Sequence, residues 1–305
     1  MTDLRTLTRV QGANRALITR DVEPEGWRLT FADEPVLVKG FRKMVRGLEY
    51  DVAELALTTY LTAKEHGARF TALPIPLVRG FHHAATQVLV DGPIKVAADL
   101  TGKRVGVNRG YTVTTGVWAR AELGEVGLDL STVTWVRSGD EHVSSYVPPS
   151  NVEQAPEGHS LEELLLTGEL EAVIGAGIDQ PGVGPLLDVS PTWELRHVFP
   201  VNHLVVIRDD LVAEHPGLAT AVFDAFVAAK RRYVDQLRAG LDESEQDRTL
   251  RRVMEATGAD PLPYGVEANR AVLEELVGHA LAQGILTRRL DLADVFIAET
   301  LELTG

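Results

Sequence analysis

Arg104-Val-Gly-Val-Asn-Arg-Gly-Tyr-Thr-Val-Thr-Thr-Gly-Val-Trp118 is the stretch on which the fold turns. Val105 and Val107 make a short β-branched run that reads as a buried strand. Asn108-Arg109-Gly110 breaks it, and a Thr-rich segment leads into the helix-like Gly116-Val-Trp-Ala-Arg-Ala-Glu-Leu123. Strand, tight turn and helix N-terminus form the corner of an α/β sheet where free backbone N–H groups and the helix dipole receive an anion. Arg109 could add a bidentate donor for a carboxylate, and Thr112, Thr114 and Thr115 could add hydroxyls. The same residues read equally well as an ordinary βα turn with Thr as N-cap.

Outward from this corner, strand and helix patterns alternate. Leu4–Val10, Trp27–Phe31, Phe70–Leu77, Thr86–Val90, Val133–Val136, Glu171–Ile174 and His197–Ile207 read as strands. Pro35–Leu48 sets Leu37, Phe41, Met44, Val45 and Leu48 on one helical face, and Ser160-Leu-Glu-Glu163 is a capping box opening a helix. Residues 143–158 read as a loop. From Asp210 onward the pattern is helical: Leu218–Leu237, Glu245–Ala256, Glu267–Gln283 and Asp291–Leu303. The apolar stripes of these last helices are either core or the face of a homo-oligomer. The alternation implies a largely parallel sheet covered on both faces. Strands at Thr86–Val90 and His203–Ile207 bracket a block of lobe size. The expectation is therefore an α/β protein of two lobes, 1–88 with 204–305 and an inserted 89–203, with a ligand cleft between them at the carboxyl ends of the strands.

The 305 residues carry 44 acidic against 30 basic side chains, a net charge of −14. That balance opposes nucleic acid and anionic membranes as partners, so an anionic ligand needs a local positive site. With no cysteine, thiolate chemistry, disulfides and Cys-ligated zinc are excluded. No apolar run approaches the roughly 20 residues of a membrane span. The opening Met1-Thr-Asp-Leu-Arg-Thr-Leu-Thr-Arg9 has no apolar core of an export signal, so a cytoplasmic protein is expected. P-loop, dinucleotide and Gly-x-Ser-x-Gly spacings are missing, and no HxH or HExxH spacing points to a metal. No cofactor is expected.

Several stretches together resemble the type II periplasmic-binding-protein fold, and more narrowly its 4,5-dihydroxyphthalate decarboxylase branch. They include Tyr50-Asp-Val-Ala-Glu-Leu-Ala-Leu-Thr-Thr-Tyr-Leu61, Phe81-His-His-Ala84, Asp99-Leu-Thr-Gly-Lys-Arg-Val-Gly-Val107, Tyr111–Trp118 and Phe199-Pro-Val-Asn-His-Leu-Val-Val-Ile207. The resemblance covers about residues 1–235. The chain has Arg109-Gly110-Tyr111 where the family usually has Pro-Glu-Tyr. The resemblance implies a two-lobed α/β fold and a non-oxidative decarboxylase (a carboxy-lyase) acting on a hydroxylated aromatic acid.

Each candidate residue also has a structural reading. Glu54 stands in an apolar helix start, where a carboxylate is costly to bury without a partner; it either caps or pairs locally, or serves as a pocket carboxylate. His82 and His83 precede one strand and His203 begins another. Singly each is an ordinary hydrogen-bonded histidine; converging on one cleft they could protonate a ring carbon or bind a phenolic hydroxyl. Arg15, Arg79 and Arg109 each follow a candidate strand and are either surface ion pairs or carboxylate ligands. Thr58 and Thr59 are caps or ligand donors. The expected site is thus His83, His203 and Glu54 as the chemical groups, with Arg15, Thr58, Thr59, Arg79, His82, Arg109, Tyr111, Thr114 and Thr115 around a small aromatic or carboxylate ligand. The rival readings are a non-catalytic solute-binding protein or another lyase on the same scaffold.

Overall fold

The computed structural model describes residues 2–241 and 244–305. The chain first lays down β1 (Thr2–Leu7), β2 (Trp27–Phe31), β3 (Val52–Ala56) and β4 (Phe70–Arg79). It then crosses to a second sheet for β5 (Thr86–Leu89), β6 (Arg104–Val107), β7 (Thr134–Arg137), β8 (Val152–Gln154), β9 (Ala172–Ile174) and β10 (Val183–Pro185). It crosses back for β11 (Val201–Arg208). The first sheet has the order β2-β1-β3-β11-β4 and the second β10-β5-β9-β6-β7-β8. β1, β2 and β3 run parallel, as do β6, β7, β8 and β9; β11 and β5 run antiparallel to their neighbours.

The strand pattern explains the layering. β3, Val-Ala-Glu-Leu-Ala, is buried along its whole length, as a central strand covered on both faces must be. The helix Leu57–Glu65 follows it directly, and Thr114–Glu125 follows β6 after the turn. We propose that the two sheets mark two lobes, 1–85 with 201–305 and 86–200. These limits differ by a few residues from 88 and 203 because Thr86 already pairs with Ile174 in the second sheet and Val201 with Arg79 in the first.

Three local readings are corrected. The stretch expected as one helix over 291–303 is broken into Leu292–Val295 and a 3-10 turn at Ala298–Thr300; between them Phe296 turns extended and bridges Ala72, so sheet pairing interrupts the periodicity. Glu54 lies in β3, not in a helix start. The expected loop over 143–158 contains β8, three residues recruited by parallel pairing to β7.

The main apolar cluster draws on both sheets, with Leu7, Ala53 and Leu204 from the first, Val105 and Trp135 from the second, and Trp118 from the helix Thr114–Glu125. Trp118 Nε1 donates to the Val201 carbonyl at 2.9 Å, tying a second-sheet helix to β11. The helix Arg270–Ala282 packs on Thr114–Glu125, where Arg120 Nε donates to Gln283 Oε1 at 2.8 Å. Among the described residues no helix is long and apolar enough to cross a membrane.

Candidate active site

The site begins with sheet register. β11 runs antiparallel to β3 with Val205 opposite Glu54 and His203 opposite Ala56. Glu54 and His203 are therefore diagonal neighbours on one face, a spacing long side chains can bridge. The pairing of β11 with β4 slips on either side of His203, an irregularity of the kind that re-aims a side chain. The result is a contact of 2.6 Å between His203 Nδ1 and Glu54 Oε1. Glu54 Oε2 accepts from Thr8 Oγ1 at 2.7 Å, the Arg9 amide at 3.2 Å and Gln11 Nε2 at 3.3 Å.

Burial pushes the Glu54 carboxyl up, but His203, Thr8 and the Arg9 charge together outweigh it and hold the group below its ordinary value. Glu54 is thus a carboxylate that only accepts hydrogen bonds, which assigns the proton of the contact to His203 Nδ1 and leaves Nε2 facing away from it. The His203 side chain keeps 13% of its surface accessible, whereas that of Glu54 keeps none. Phe41 stands edge-on to His203, ring centres 5.2 Å apart.

His82 is buried and its Nε2 has no hydrogen-bond partner. Burial first, and then the charges of His203 and His83, lower it to about 3, so the ring is neutral at ordinary pH. His82 is therefore within electrostatic reach of His203. His83 lines a pocket with Asp188, Ser190 and Trp193 that neither Glu54 nor His203 borders.

On the second sheet, the turn after β6 puts Arg109 at φ 69°, and its amide donates to Ser138 Oγ at 2.8 Å. In the turn that leads into Thr114–Glu125, two backbone amides already have a partner from within the chain. The buried Glu141 carboxylate accepts from the Tyr111 amide at 2.6 Å, the Thr112 amide at 3.2 Å and Thr112 Oγ1 at 2.8 Å. A Cβ at Gly110 would lie 2.5 Å from Glu141 Oε2, so a larger residue there would displace that carboxylate. Thr58 and Thr114 are fully buried and bond each other, Oγ1 to Oγ1 at 2.9 Å, joining the starts of the two helices. Thr59 Oγ1 meets His142 Nδ1 at 3.2 Å. Thr115 is half-buried against Gly175, and Tyr111 is buried under the Arg120 guanidinium, 3.9 Å from the ring centre.

The arginines separate. Arg79 is buried, donating to the Phe199 carbonyl at 2.8 Å and to Asn269, so it braces the first sheet. Arg15 is exposed and acts electrostatically on Tyr233, on the long C-terminal helix. Arg109 remains exposed, and burial of part of its side chain, followed by the charge of Arg9, lowers it. Arg9, not singled out from sequence, thus faces both Glu54 and Arg109. His142, also passed over, is lowered to about 4 by burial and then by Arg42, Arg109 and Arg46. Among the described residues no three His, Asp or Glu side chains gather as metal ligands do.

No family model matches the sequence. A 4,5-dihydroxyphthalate decarboxylase from Comamonas testosteroni is 31% identical over 321 aligned positions, covering 94% of each chain. One from Pseudomonas putida is 40% identical over 144 positions, 44% of this chain and 55% of that one. Solved structures of similar fold include the periplasmic aliphatic sulphonate binding protein SsuA from Escherichia coli, with TM-score 0.57 and 13% identity over 97% of this chain and 92% of that one. The desulfurization enzyme DSZB gives TM-score 0.57 and 19% identity over 99% of this chain and 98% of that one. These structural likenesses speak to fold alone, and the two-sheet architecture is the periplasmic-binding-protein fold. With similarity spanning nearly its full length, the chain belongs to the 4,5-dihydroxyphthalate decarboxylase family.

Proposed function

We propose that the chain is a non-oxidative decarboxylase of a hydroxylated aromatic dicarboxylic acid of the dihydroxyphthalate kind, working in the cytoplasm. The observation that carries this reading is the Glu54–His203 pair, a buried carboxylate holding a reachable imidazole at 2.6 Å. In the proposed reaction protonated His203 delivers its Nε2 proton to the ring carbon bearing one carboxylate. A ring hydroxyl, hydrogen-bonded by neutral His82, shares its electron density with the dearomatised ring. The C–C bond then breaks, its electron pair restores aromaticity, and CO2 leaves; His203 recovers a proton from solvent. Glu54 fixes the imidazole and balances its charge while it is protonated. Arg9 and Arg109 hold the carboxylate that stays, as guanidinium forks do. The carboxylate that leaves meets neither, since it must lose its charge.

The test is release of CO2 from 4,5-dihydroxyphthalate with solvent deuterium at the vacated ring carbon. His203→Ala should lower turnover at least ~100-fold, the low end for a lost proton-transfer group. Hydroxylated phthalates that raise the melting temperature yet yield no CO2 would establish a solute-binding protein instead.

A further inference from the structure

A second pocket lies outside the Glu54–His203 site. It encloses about 420 Å3 and is walled by Phe81, His83, Asp188, Trp193, Arg252 and Val253. Phe81 and His83 sit on the crossover between β4 and β5, and Asp188 and Trp193 on the return between β10 and β11. Arg252 and Val253 belong to the helix Glu245–Thr257. The pocket therefore touches both passages between the sheets.

Its chemistry is that of an amphipathic ring. Phe81 and Trp193 stand edge to face with centres 5.4 Å apart, a wall suited to an aromatic ligand. Arg252 hydrogen-bonds only Thr249 Oγ1, at 3.2 Å, and has no carboxylate partner among the described residues. His83 Nδ1 is sealed from solvent without a partner, which leaves Nε2 as the ring nitrogen a ligand can meet. Asp188 brings a carboxylate to the same pocket and acts on His83. An aromatic ring carrying a carboxylate for Arg252 and a hydroxyl for Asp188 or His83 satisfies all of these groups. A plain benzoate leaves the acceptors unmet, and a second carboxylate would be set against Asp188. The volume falls within the range of small-molecule sites.

We propose that this pocket is a second ligand site, specific for hydroxylated aromatic monocarboxylates, that bridges the two crossovers. Such a ligand is one carboxylate short of the proposed substrate, so product occupancy would bridge the two crossovers of its own enzyme. Binding itself needs no turnover and stands apart from the decarboxylase reading. His83 adjoins His82, which gives the occupant a short route to the Glu54–His203 pair.

Calorimetric titration of the full chain with 3,4-dihydroxybenzoate tests the proposal. Wild type and His203→Ala should both show this second site, and Arg252→Ala should weaken it at least ~tenfold, the effect of losing one charged hydrogen bond. Benzoate should bind more weakly than its dihydroxy form, and ligand should alter tryptophan emission in wild type but not in Trp193→Phe. Arg252 is exposed on its helix, and an unchanged melting temperature checks that its variant folds. Absence of binding at millimolar ligand, an isotherm indifferent to Arg252→Ala, or loss of all binding in His203→Ala would each overturn the site. A failed CO2 assay alongside an Arg252-dependent isotherm would remove only the decarboxylase reading.

Discussion

At Glu54 a charge survives where burial alone would neutralise it, because every acceptor position that matters is met: His203, Thr8, the Arg9 amide and Gln11. Glu54→Ala strands those donors in a dry place. It should cost roughly 1–3 kcal/mol in denaturant unfolding and lower turnover as His203→Ala is expected to; a variant with wild-type stability and rate would remove the pair from the mechanism. The proposed reaction gives Arg9 and Arg109 to binding. Arg109→Ala should therefore raise KM by tenfold or more, about 1.4 kcal/mol, with a smaller change in kcat, and a loss confined to kcat would refute the carboxylate clamp. The sequence made Glu54 and His203 legible because a carboxylate in Val-Ala-Glu-Leu-Ala and a histidine heading a β-branched strand both break their local pattern. His82 and His83 were not separable that way, since adjacent side chains face different surroundings and sequence gives no phase where a strand ends. Arg9 was hidden inside an expected strand, Leu4–Val10, that stops at Leu7 to free it.

Among the elements, the opening corner carries the clearest lesson. The strand, turn and helix of 104–118 are visible from local pattern, and the helix starts at Thr114. That the Tyr111 and Thr112 amides of the turn before it are already taken by Glu141 was not, for Glu141 comes from a loop and meets the turn only through tertiary structure. The same helix holds a titratable switch in its stability. Glu122 is buried and pushed up to about 7 by burial, against a smaller opposing effect of its hydrogen bond from Ser190. A raised carboxyl binds its proton more tightly folded than unfolded. Its contribution is therefore complete below about pH 4.5 and lost as pH rises through 7, on the order of 3 kcal/mol in all. His82 and His142 are shifted down, so their contributions run the other way, present above 6.5 and lost on acidification. Glu122→Gln isolates the effect: its stability relative to wild type should climb between about pH 5 and 8. A pH-independent difference would mean that Glu122 stays charged in the fold.

For the whole molecule, two sheets need not mean two folding units. The main core runs through both, and buried polar ties cross it: Thr58 to Thr114, Trp118 to the Val201 carbonyl, and Arg120 to Gln283. From the helix Leu37–Gly47, Arg46 donates to the Glu141 and His142 carbonyls at 2.7 and 3.1 Å. Opening one lobe alone would expose apolar surface belonging to both and strand the guanidinium of Arg120, which is wholly buried. The chain should therefore unfold in one cooperative step, with far-ultraviolet circular dichroism and tryptophan emission giving the same midpoint and calorimetric and van't Hoff enthalpies agreeing. Gln283→Ala removes the acceptor of Arg120 Nε from the strap between the sheets. A loss of about 1–3 kcal/mol should lower that common midpoint by a few degrees while the two probes still coincide. If the variant, or the wild type, melts in two separated steps, the shared core is not one cooperative unit and the lobes fold as independent domains.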